Sequence, residues 1–315
     1  MPLPELELIQ RIRRAASCDR EHSGHGIGDD CAVLPMPRGH ELLVTTDFSL
    51  EGIHFRREWH PADSVGHRCL ARGLSDIAAM GGIPRSAFLS LALPADLPQR
   101  WVDDFLRGFL KLARQYSVPL SGGDTAQSPA GILADIIVVG SIPRGKALLR
   151  SGARPGDIIY VSGILGSSVA TLQQLCSGNK PRPAQHPRHF YPDPRIVLGQ
   201  YLRENKLATA MIDTSDGLST DLHHICDESR VGAIIEAAAL PTTDGDNALQ
   251  FALHGGEDYE LLFTAPPARA NQIPAKIAGI PISRIGAITR ARQVKLNSPE
   301  GRSQPLPAAG WQHFA

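Results

Sequence analysis

The chain has 315 residues, of which 42% are hydrophobic and 20% charged, as in globular proteins with a full core. Lys plus Arg equals Asp plus Glu at 32 each, so the net charge favours neither nucleic acid nor a membrane surface as a partner. The five cysteines form no C-x-x-C pair, and no apolar run approaches the ~20 residues of a membrane span. We therefore expect a soluble, reduced, cytoplasmic protein of about two domains.

The first half of the chain alternates helical and strand patterns, which indicates an α/β fold. Apolar spacing predicts helices over residues 3–16, 61–80 and 101–116, and strands over 41–47, 86–93 and 132–141. A shorter strand is predicted to end in the turn Ser121-Gly-Gly-Asp124-Thr125. The aromatic stripe of the third helix, with Phe105 and Phe109, is typical of a core face.

A basic, turn-rich stretch over residues 145–157 is typical of a domain boundary. The second half then predicts a strand at 158–161 and a helix at 167–176. Residues 178–194 are rich in Pro, Arg and His and indicate an exposed loop. A helix over 194–205 follows, with strands at 208–212 and 261–264.

Acidic residues recur beside Gly or Thr where predicted strands end, and one more ends a helix. Because strand ends meet at one edge of an α/β sheet, we expect these side chains to lie close together. Many clustered carboxylates do not all stay ionised without cations. The acids concerned are Asp29, Asp30, Asp47, Asp124, Asp213 and Asp216 at strand ends, and Asp76 in the last turn of its helix.

An all-oxygen ligand set without a His/Cys group favours Mg²⁺ over zinc. Mg²⁺ binds proteins through a few carboxylates together with substrate phosphates, so several ions in a glycine-lined site suit a nucleotide. The chemistry that such a site serves best is phosphoryl transfer, in which positioning and charge neutralisation do most of the catalysis.

Seven motifs in fixed order resemble those of the thiamine-monophosphate kinases, a family of the AIR-synthase-like ATP-binding superfamily. The resemblance covers essentially the whole chain. The motifs are GIGDDCAV (26–33), TTDFSLEGIHF (45–55), LSDIAAMGG (74–82), SGGDT (121–125), GKALLRSGARPGD (145–157), DTSDGLSTDL (213–222) and GGEDYELLFT (255–264). One departure is Lys146, which stands where an arginine is frequent.

The resemblance implies a two-domain α/β (α+β) fold, with an N-terminal domain over 1–147 and a C-terminal domain over 148–315. It implies that the N-terminal sheets of two subunits pair into a homodimer, with ATP in a cleft at that pairing. The implied reaction is direct in-line transfer of the ATP γ-phosphoryl group to thiamine monophosphate, assisted by more than one Mg²⁺.

The resemblance also implies roles for individual residues. The implied catalytic metal ligands are Asp30, Asp47, Asp76, Asp124, Asp213 and Asp216, with further oxygens from Thr45 and Thr46. The implied ATP contacts are Gly123, Asp124, Arg150 and Ser215. The implied contacts to thiamine monophosphate are His54, Glu257, Asp258 and Trp311.

Two alternatives stay open. One is a different ATP-dependent enzyme of the same superfamily, although the selenophosphate branch needs a reactive Cys in a glycine-rich loop and the hydrogenase-maturation branch ends in a cysteine. This chain ends His313-Phe314-Ala315. The other alternative is a protein that binds Mg²⁺ and nucleotide without turnover.

Overall fold

The computed structural model describes residues 3–16 and 34–312, which form two compact units of mixed α/β structure. The main chain passes from the first unit to the second between Gly145 and Lys146, beside the boundary expected at 147/148. The first unit comprises Met1–Ile77, Ile83–Gly145 and Phe190–Pro192, and the second comprises Ala78–Gly82, Lys146–His189 and Asp193–Ala315.

The first unit is a four-stranded sheet with helices on one face. Its elements are α1 (Glu5–Ala16), β1 (His40–Leu50), α2 (Ala62–Ala79), β2 (Ile83–Pro94), α3 (Gln99–Gln115), β3 (Leu120–Ser128) and β4 (Leu133–Pro143). The strand order is β1-β4-β2-β3, and β4 is antiparallel to both of its neighbours while β3 is parallel to β2. Strands β1, β2 and β3 therefore run in the same direction.

The core of this unit forms where α2 and α3 cover the sheet. Leu70 and Leu74 of α2 are fully buried, as are Phe105 and Phe109 of α3. The aromatic stripe of α3 is thus core, as predicted. Helix α2 approaches the sheet closely at Gly73, where an added Cβ would lie 2.6 Å from the Val138 side chain.

The expectation that Asp47 and Asp124 end their strands is wrong. Strand β1 continues to Leu50 and strand β3 continues to Ser128, so both acids lie within strands. Sequence reasoning placed a turn at Gly122-Gly123 because glycines favour turns. Here Gly123 instead takes a φ of +150° within the strand, and a Cβ would lie 1.8 Å from the Leu89 carbonyl oxygen.

The second unit is built on a larger sheet with strand order β12-β11-β7-β10-β5-β8-β6, and β9 pairs with β10. Its strands are β5 (Ile158–Ser162), β6 (Ala210–Asp213), β7 (Gly232–Glu236), β8 (Leu261–Ala265), β9 (Lys276–Ile277), β10 (Ile280–Thr289), β11 (Val294–Asn297) and β12 (Ser303–Pro305). Its helices are α4 (Ser167–Cys176), α5 (Pro187–Phe190), α6 (Ile196–Glu204), α7 (Leu218–Ser229) and α8 (Ala248–His254).

The segment over 178–194 is only partly the exposed loop that its composition indicated. It contains the short helix α5, and both His189 and Phe190 are buried. The Ser168 hydroxyl lies 3.0 Å from Nδ1 of His189, which holds this part of the segment to α4. Two adjacent aromatic residues, Phe190 and Tyr191, in a Pro/His-rich stretch are a weak sequence signal for such burial.

No helix within residues 3–16 and 34–312 combines the length and the apolar character that crossing a membrane requires.

Candidate active site

The first cluster of predicted site residues joins β1 to α2. The Thr45 hydroxyl donates a hydrogen bond to the Asp76 carboxylate, and the Asp47 carboxyl lies close enough to Asp76 to interact with its charge. Alternate residues of β1 point to the same side of the sheet, so Thr45 and Asp47 both face α2. The structure therefore brings together three of the predicted metal ligands.

The carboxylates of this cluster repel one another when no cation is bound. Burial, and then the Asp76 charge, raise the pKa of Asp47 to about 7, against the opposing effect of the Arg72 guanidinium. Asp135 of β4 adds further negative charge. Oxygen donors that repel one another in a partly buried place are the donor set that Mg²⁺ prefers, so these residues fit a magnesium ion.

Asp124 lies at the opposite edge of the same sheet. Strands β4 and β2 separate β3 from β1, which places Asp124 about three strand spacings, or roughly 14 Å, from β1. Asp124 is exposed and accepts a hydrogen bond from the Thr125 N–H at 2.8 Å. Within this unit, Asp124 is therefore not a member of the Asp47–Asp76 cluster.

The open face of the sheet carries an acid that the sequence reasoning missed. Thr46 is exposed on this face, and its hydroxyl donates to the Asp135 carboxylate at 2.8 Å. Asp135 is the one charged residue of the otherwise apolar strand β4. That interruption was the signal available in the sequence.

His54 lies in the turn that follows β1, and its ring is oriented by the backbone. The Leu50 N–H donates to Nδ1 of His54 at 3.0 Å, so Nδ1 is an acceptor and Nε2 carries the hydrogen. Nε2 is thereby the ring atom with a hydrogen to donate. Arg68 of α2 fixes the same residue from the other side, through a 3.3 Å hydrogen bond to its carbonyl oxygen.

Asp30, with the rest of the 26–33 motif, lies outside the described residues, and its role as a metal ligand stays a prediction.

The second cluster lies in the other unit, at the end of β6 and the start of α7. Asp213 is buried at the strand end, as predicted, and Asp216 follows it in the loop. Carboxylate oxygens of Asp216 and Asp221 and a ring nitrogen of His224 lie within 4.8 Å of one another, close enough to share a metal ion.

Asp221 is a buried acid, and the sequence alone did not reveal its structural role. Its carboxylate accepts a hydrogen bond from the Gly217 N–H at 3.0 Å and so caps the first turn of α7. Burial, and then the charges of Asp213 and Asp216, raise its pKa well above the ordinary value. The same charges make this cluster a second attractive place for a cation.

Ser215 is held against the 257–260 segment by backbone hydrogen bonds. The Glu257 N–H donates to the Ser215 carbonyl at 2.7 Å, and the Tyr259 N–H donates to the Thr214 carbonyl at 3.0 Å. Glu257 and Tyr259 both have positive φ, at 62° and 50°. Side-chain-bearing residues rarely adopt this conformation, and they do so most often at functional sites.

Asp258 points inward and serves the fold. Its carboxylate accepts hydrogen bonds from the backbone N–H groups of Gly166 at 2.7 Å and Ser168 at 3.4 Å, which lie at the start of α4. Burial raises its pKa to about 7, although these two bonds oppose the shift. The side chain is therefore accounted for as a helix cap, which favours Glu257 over Asp258 as the substrate contact.

The remaining predicted residues are accessible. Arg150 has an exposed side chain, and Ser229 Oγ donates to its carbonyl oxygen at 2.6 Å. Trp311 is 52% exposed, and its backbone N–H donates to the Asp216 carbonyl at 2.9 Å. The backbone of Trp311 is thus attached to the loop that carries Asp216 in the same unit.

Comparison with known proteins decides the family. The family model of the AIR synthase related protein N-terminal domain matches residues 28–142, and that of the C-terminal domain matches residues 154–298. The chain is 39% identical to thiamine-monophosphate kinase of Escherichia coli K12 over 329 aligned positions, which cover 100% of this chain and 99% of the relative. The chain belongs to the thiamine-monophosphate kinase family.

Solved structures of thiamine-monophosphate kinases agree with this assignment. The crystal structure of the Stenotrophomonas maltophilia K279a protein has a TM-score of 0.84 and 37% identity, covering 94% of this chain and 98% of that one. A further structure, AaThiL complexed with AMPPCP and TMP, has a TM-score of 0.78 and 32% identity, covering 99% and 97%. The two-domain AIR-synthase-like fold is thereby confirmed.

Proposed function

We infer that this chain transfers the γ-phosphoryl group of ATP to thiamine monophosphate and so makes thiamine diphosphate. The observation that carries the inference is full-length similarity to thiamine-monophosphate kinases, including a structure complexed with an ATP analogue and TMP. The motifs of both units, from TTDFSLEGIHF to GGEDYELLFT, are those of an enzyme of this kind.

We propose that Mg²⁺ is required and that each unit has its own set of oxygen ligands for Mg²⁺. Thr45, Asp47 and Asp76 supply those of the first unit, and Asp213 and Asp216 those of the second. Support comes from the Asp47 carboxyl, whose pKa is raised to about 7 by burial and then by the neighbouring Asp76 charge. Bound Mg²⁺ neutralises phosphate charge as the phosphoryl group moves in line from one oxygen to the other.

The acceptor is proposed to lie against His54, Glu257 and Trp311. Because Nδ1 of His54 accepts from the Leu50 N–H, Nε2 carries the ring hydrogen and can donate it to a phosphate oxygen. An accessible indole suits a cationic thiazolium ring, because cations bind over aromatic faces. Arg150, a permanently charged donor fork with an exposed side chain, is proposed to contact ATP, together with Gly123, Asp124 and Ser215.

We further propose that the protein is a homodimer paired through the open face of the first unit's sheet. Leu42, Val44 and Phe48 of β1 are 54%, 61% and 54% exposed, and alternate residues of a strand share one face. Exposed apolar side chains on an edge strand are typical of a protein–protein contact. A second copy of the chain is the partner that the family resemblance supports.

A turnover assay tests the proposed function. ATP consumption is measured with and without thiamine monophosphate, and thiamine diphosphate is quantified in the same samples. We expect one ADP per thiamine diphosphate, with ATP consumption dependent on the acceptor. A protein that binds ATP and Mg²⁺ but returns the nucleotide unchanged would support the binding-protein alternative instead.

A further inference from the structure

Three side chains of α2, spaced four residues apart, bind three successive points of β1 and the turn after it. Arg68 donates to the His54 carbonyl, Arg72 donates to the Phe48 carbonyl at 3.0 Å, and Asp76 accepts from the Thr45 hydroxyl. Residues four apart lie on the same helix face, so this row runs along β1 in the opposite direction. These three contacts hold α2 against β1 and the turn after it, beside Asp47.

Arg72 is the arginine of this row that lies next to Asp47. Its side chain is buried, its Nη1 holds the backbone oxygen next to Asp47, and its charge acts on the Asp47 carboxylate. Arg68 is equally buried but contacts the His54 carbonyl, beyond the end of the strand. The two arginines thus share a helix face and differ in what they face.

We propose that Arg72 is a positioning residue for the metal site, a fixed cation that orders Asp47 and keeps the divalent cation exchangeable. The inference rests on the proposal that Asp47 and Asp76 bind that cation. A guanidinium held beside the Asp47 carboxylate neutralises part of the cluster's charge before any metal arrives. It also repels the incoming cation, so its presence lowers metal affinity while it improves the placement of Asp47.

Replacement of Arg72 with methionine removes the charge but keeps an unbranched apolar side chain. Metal affinity should then rise, because the repulsion is gone, while kcat falls, because Asp47 is no longer held. A residue that only packed the helix against the strand would change neither quantity selectively.

The test measures binding of Mn²⁺ alone. Bound Mn²⁺ is detected as a loss of the electron paramagnetic resonance signal of the free ion. We expect R72M to bind Mn²⁺ about tenfold more tightly than the wild type, as loss of a nearby like charge requires. Its kcat should fall about tenfold with the KM for thiamine monophosphate unchanged. R72K should return Mn²⁺ affinity to the wild-type value, since the charge is restored.

R68M is the matched control, one turn away on the same helix face. It should leave Mn²⁺ affinity unchanged and raise the KM for thiamine monophosphate, because it releases the His54 backbone. Unchanged or weakened Mn²⁺ binding in R72M would overturn the inference. If the wild type makes thiamine diphosphate while R72M and R68M bind Mn²⁺ alike, the inference alone fails. A wild type without that turnover would instead contradict the proposed function.

Discussion

The hydroxyl of Thr45 on β1 donates a hydrogen bond to the carboxylate of Asp76 on α2. This contact joins two motifs that are 31 positions apart in the chain. It explains why an acid stands in the last turn of a helix, where the helix dipole disfavours negative charge. In this position Asp76 can accept the hydrogen bond from Thr45 of β1. Asp47 of β1 belongs to the same cluster.

Asp47→Asn should abolish most of the activity without harming the fold. The amide keeps the size of the carboxyl but is a much weaker ligand for a hard cation. We expect kcat to fall at least ~100-fold at saturating Mg²⁺, as for loss of a main charge-stabilising group. Near-normal kcat would show that Asp47 is not a metal ligand, and D96N, which changes an exposed acid of the same unit, should retain full activity.

The same substitution should change stability in a pH-dependent manner. Asp47 has a folded-state pKa raised from 3.8 to about 7, so the folded protein holds its proton more tightly than the unfolded chain does. The wild type therefore loses stability as pH rises between these values, and D47N does not. In metal-free buffer, D47N should melt at a higher temperature than the wild type at pH 8, with the gain shrinking towards pH 5.

His54→Ala should raise the KM for thiamine monophosphate at least ~10-fold and leave the KM for ATP within about twofold, as loss of one charge-assisted hydrogen bond to a phosphate predicts. Steady-state kinetics with each substrate varied in turn measure this split. His60 is the control. Its Nδ1 also accepts a hydrogen bond from a backbone N–H four residues earlier, that of Arg56, but its side chain is buried and therefore not accessible to a substrate. H60Q should lower the melting temperature and leave the KM values for ATP and thiamine monophosphate close to those of the wild type. Equal KM effects in H54A would place His54 outside the acceptor site.

Glu257 and Asp258 are adjacent, and we expect them to have different roles because the Asp258 carboxylate caps α4. E257Q should raise the KM for thiamine monophosphate, whereas D258N should leave both KM values unchanged. Because burial raises the pKa of Asp258 from 3.8 to about 7, the wild type loses stability as pH rises through that interval. The stability of D258N relative to the wild type, measured by urea unfolding, should therefore increase from pH 5 to pH 8. If only D258N raised the KM for thiamine monophosphate, Asp258 and not Glu257 would be the residue that contacts this substrate.

Much of the fold was predictable because its helices carry strong apolar periodicity. The helix expected over 167–176 is α4, and the core stripe of α3 lies where its spacing indicated. Sequence reasoning failed at Asp47 and Asp124, because local turn signals from Gly and Thr do not reveal that sheet pairing continues past them. It also assumed that distant acids converge, whereas the strand order β1-β4-β2-β3 keeps Asp124 away from Asp47.

The missed residues show what a single sequence hides. Arg72 lies in an ordinary amphipathic helix pattern, and its contact with β1 depends on packing between segments more than twenty residues apart. Asp221 is a buried helix cap whose carboxylate reaches back four residues to Gly217. Both roles follow from tertiary contacts, which composition and spacing do not specify.

Val44→Asp tests the proposed pairing of two chains. A charge on the open face of β1 has to be desolvated if that face is covered, which costs several kcal/mol per subunit. We expect the wild type to run as a dimer and V44D as a monomer in size-exclusion chromatography with light scattering. Val197 of α6 is similarly exposed, at 59%, and V197D should leave the molecular mass unchanged. A dimeric V44D would exclude this face as the interface.

The most direct measurement of the central claim follows the transferred group itself. The enzyme is incubated with ATP labelled at the γ-phosphorus, Mg²⁺ and thiamine monophosphate, and the products are separated and analysed for label. We predict that the label appears in the outer phosphate of thiamine diphosphate. Label released only as inorganic phosphate, or retained in ATP, would contradict the assignment of this chain as a kinase for thiamine monophosphate.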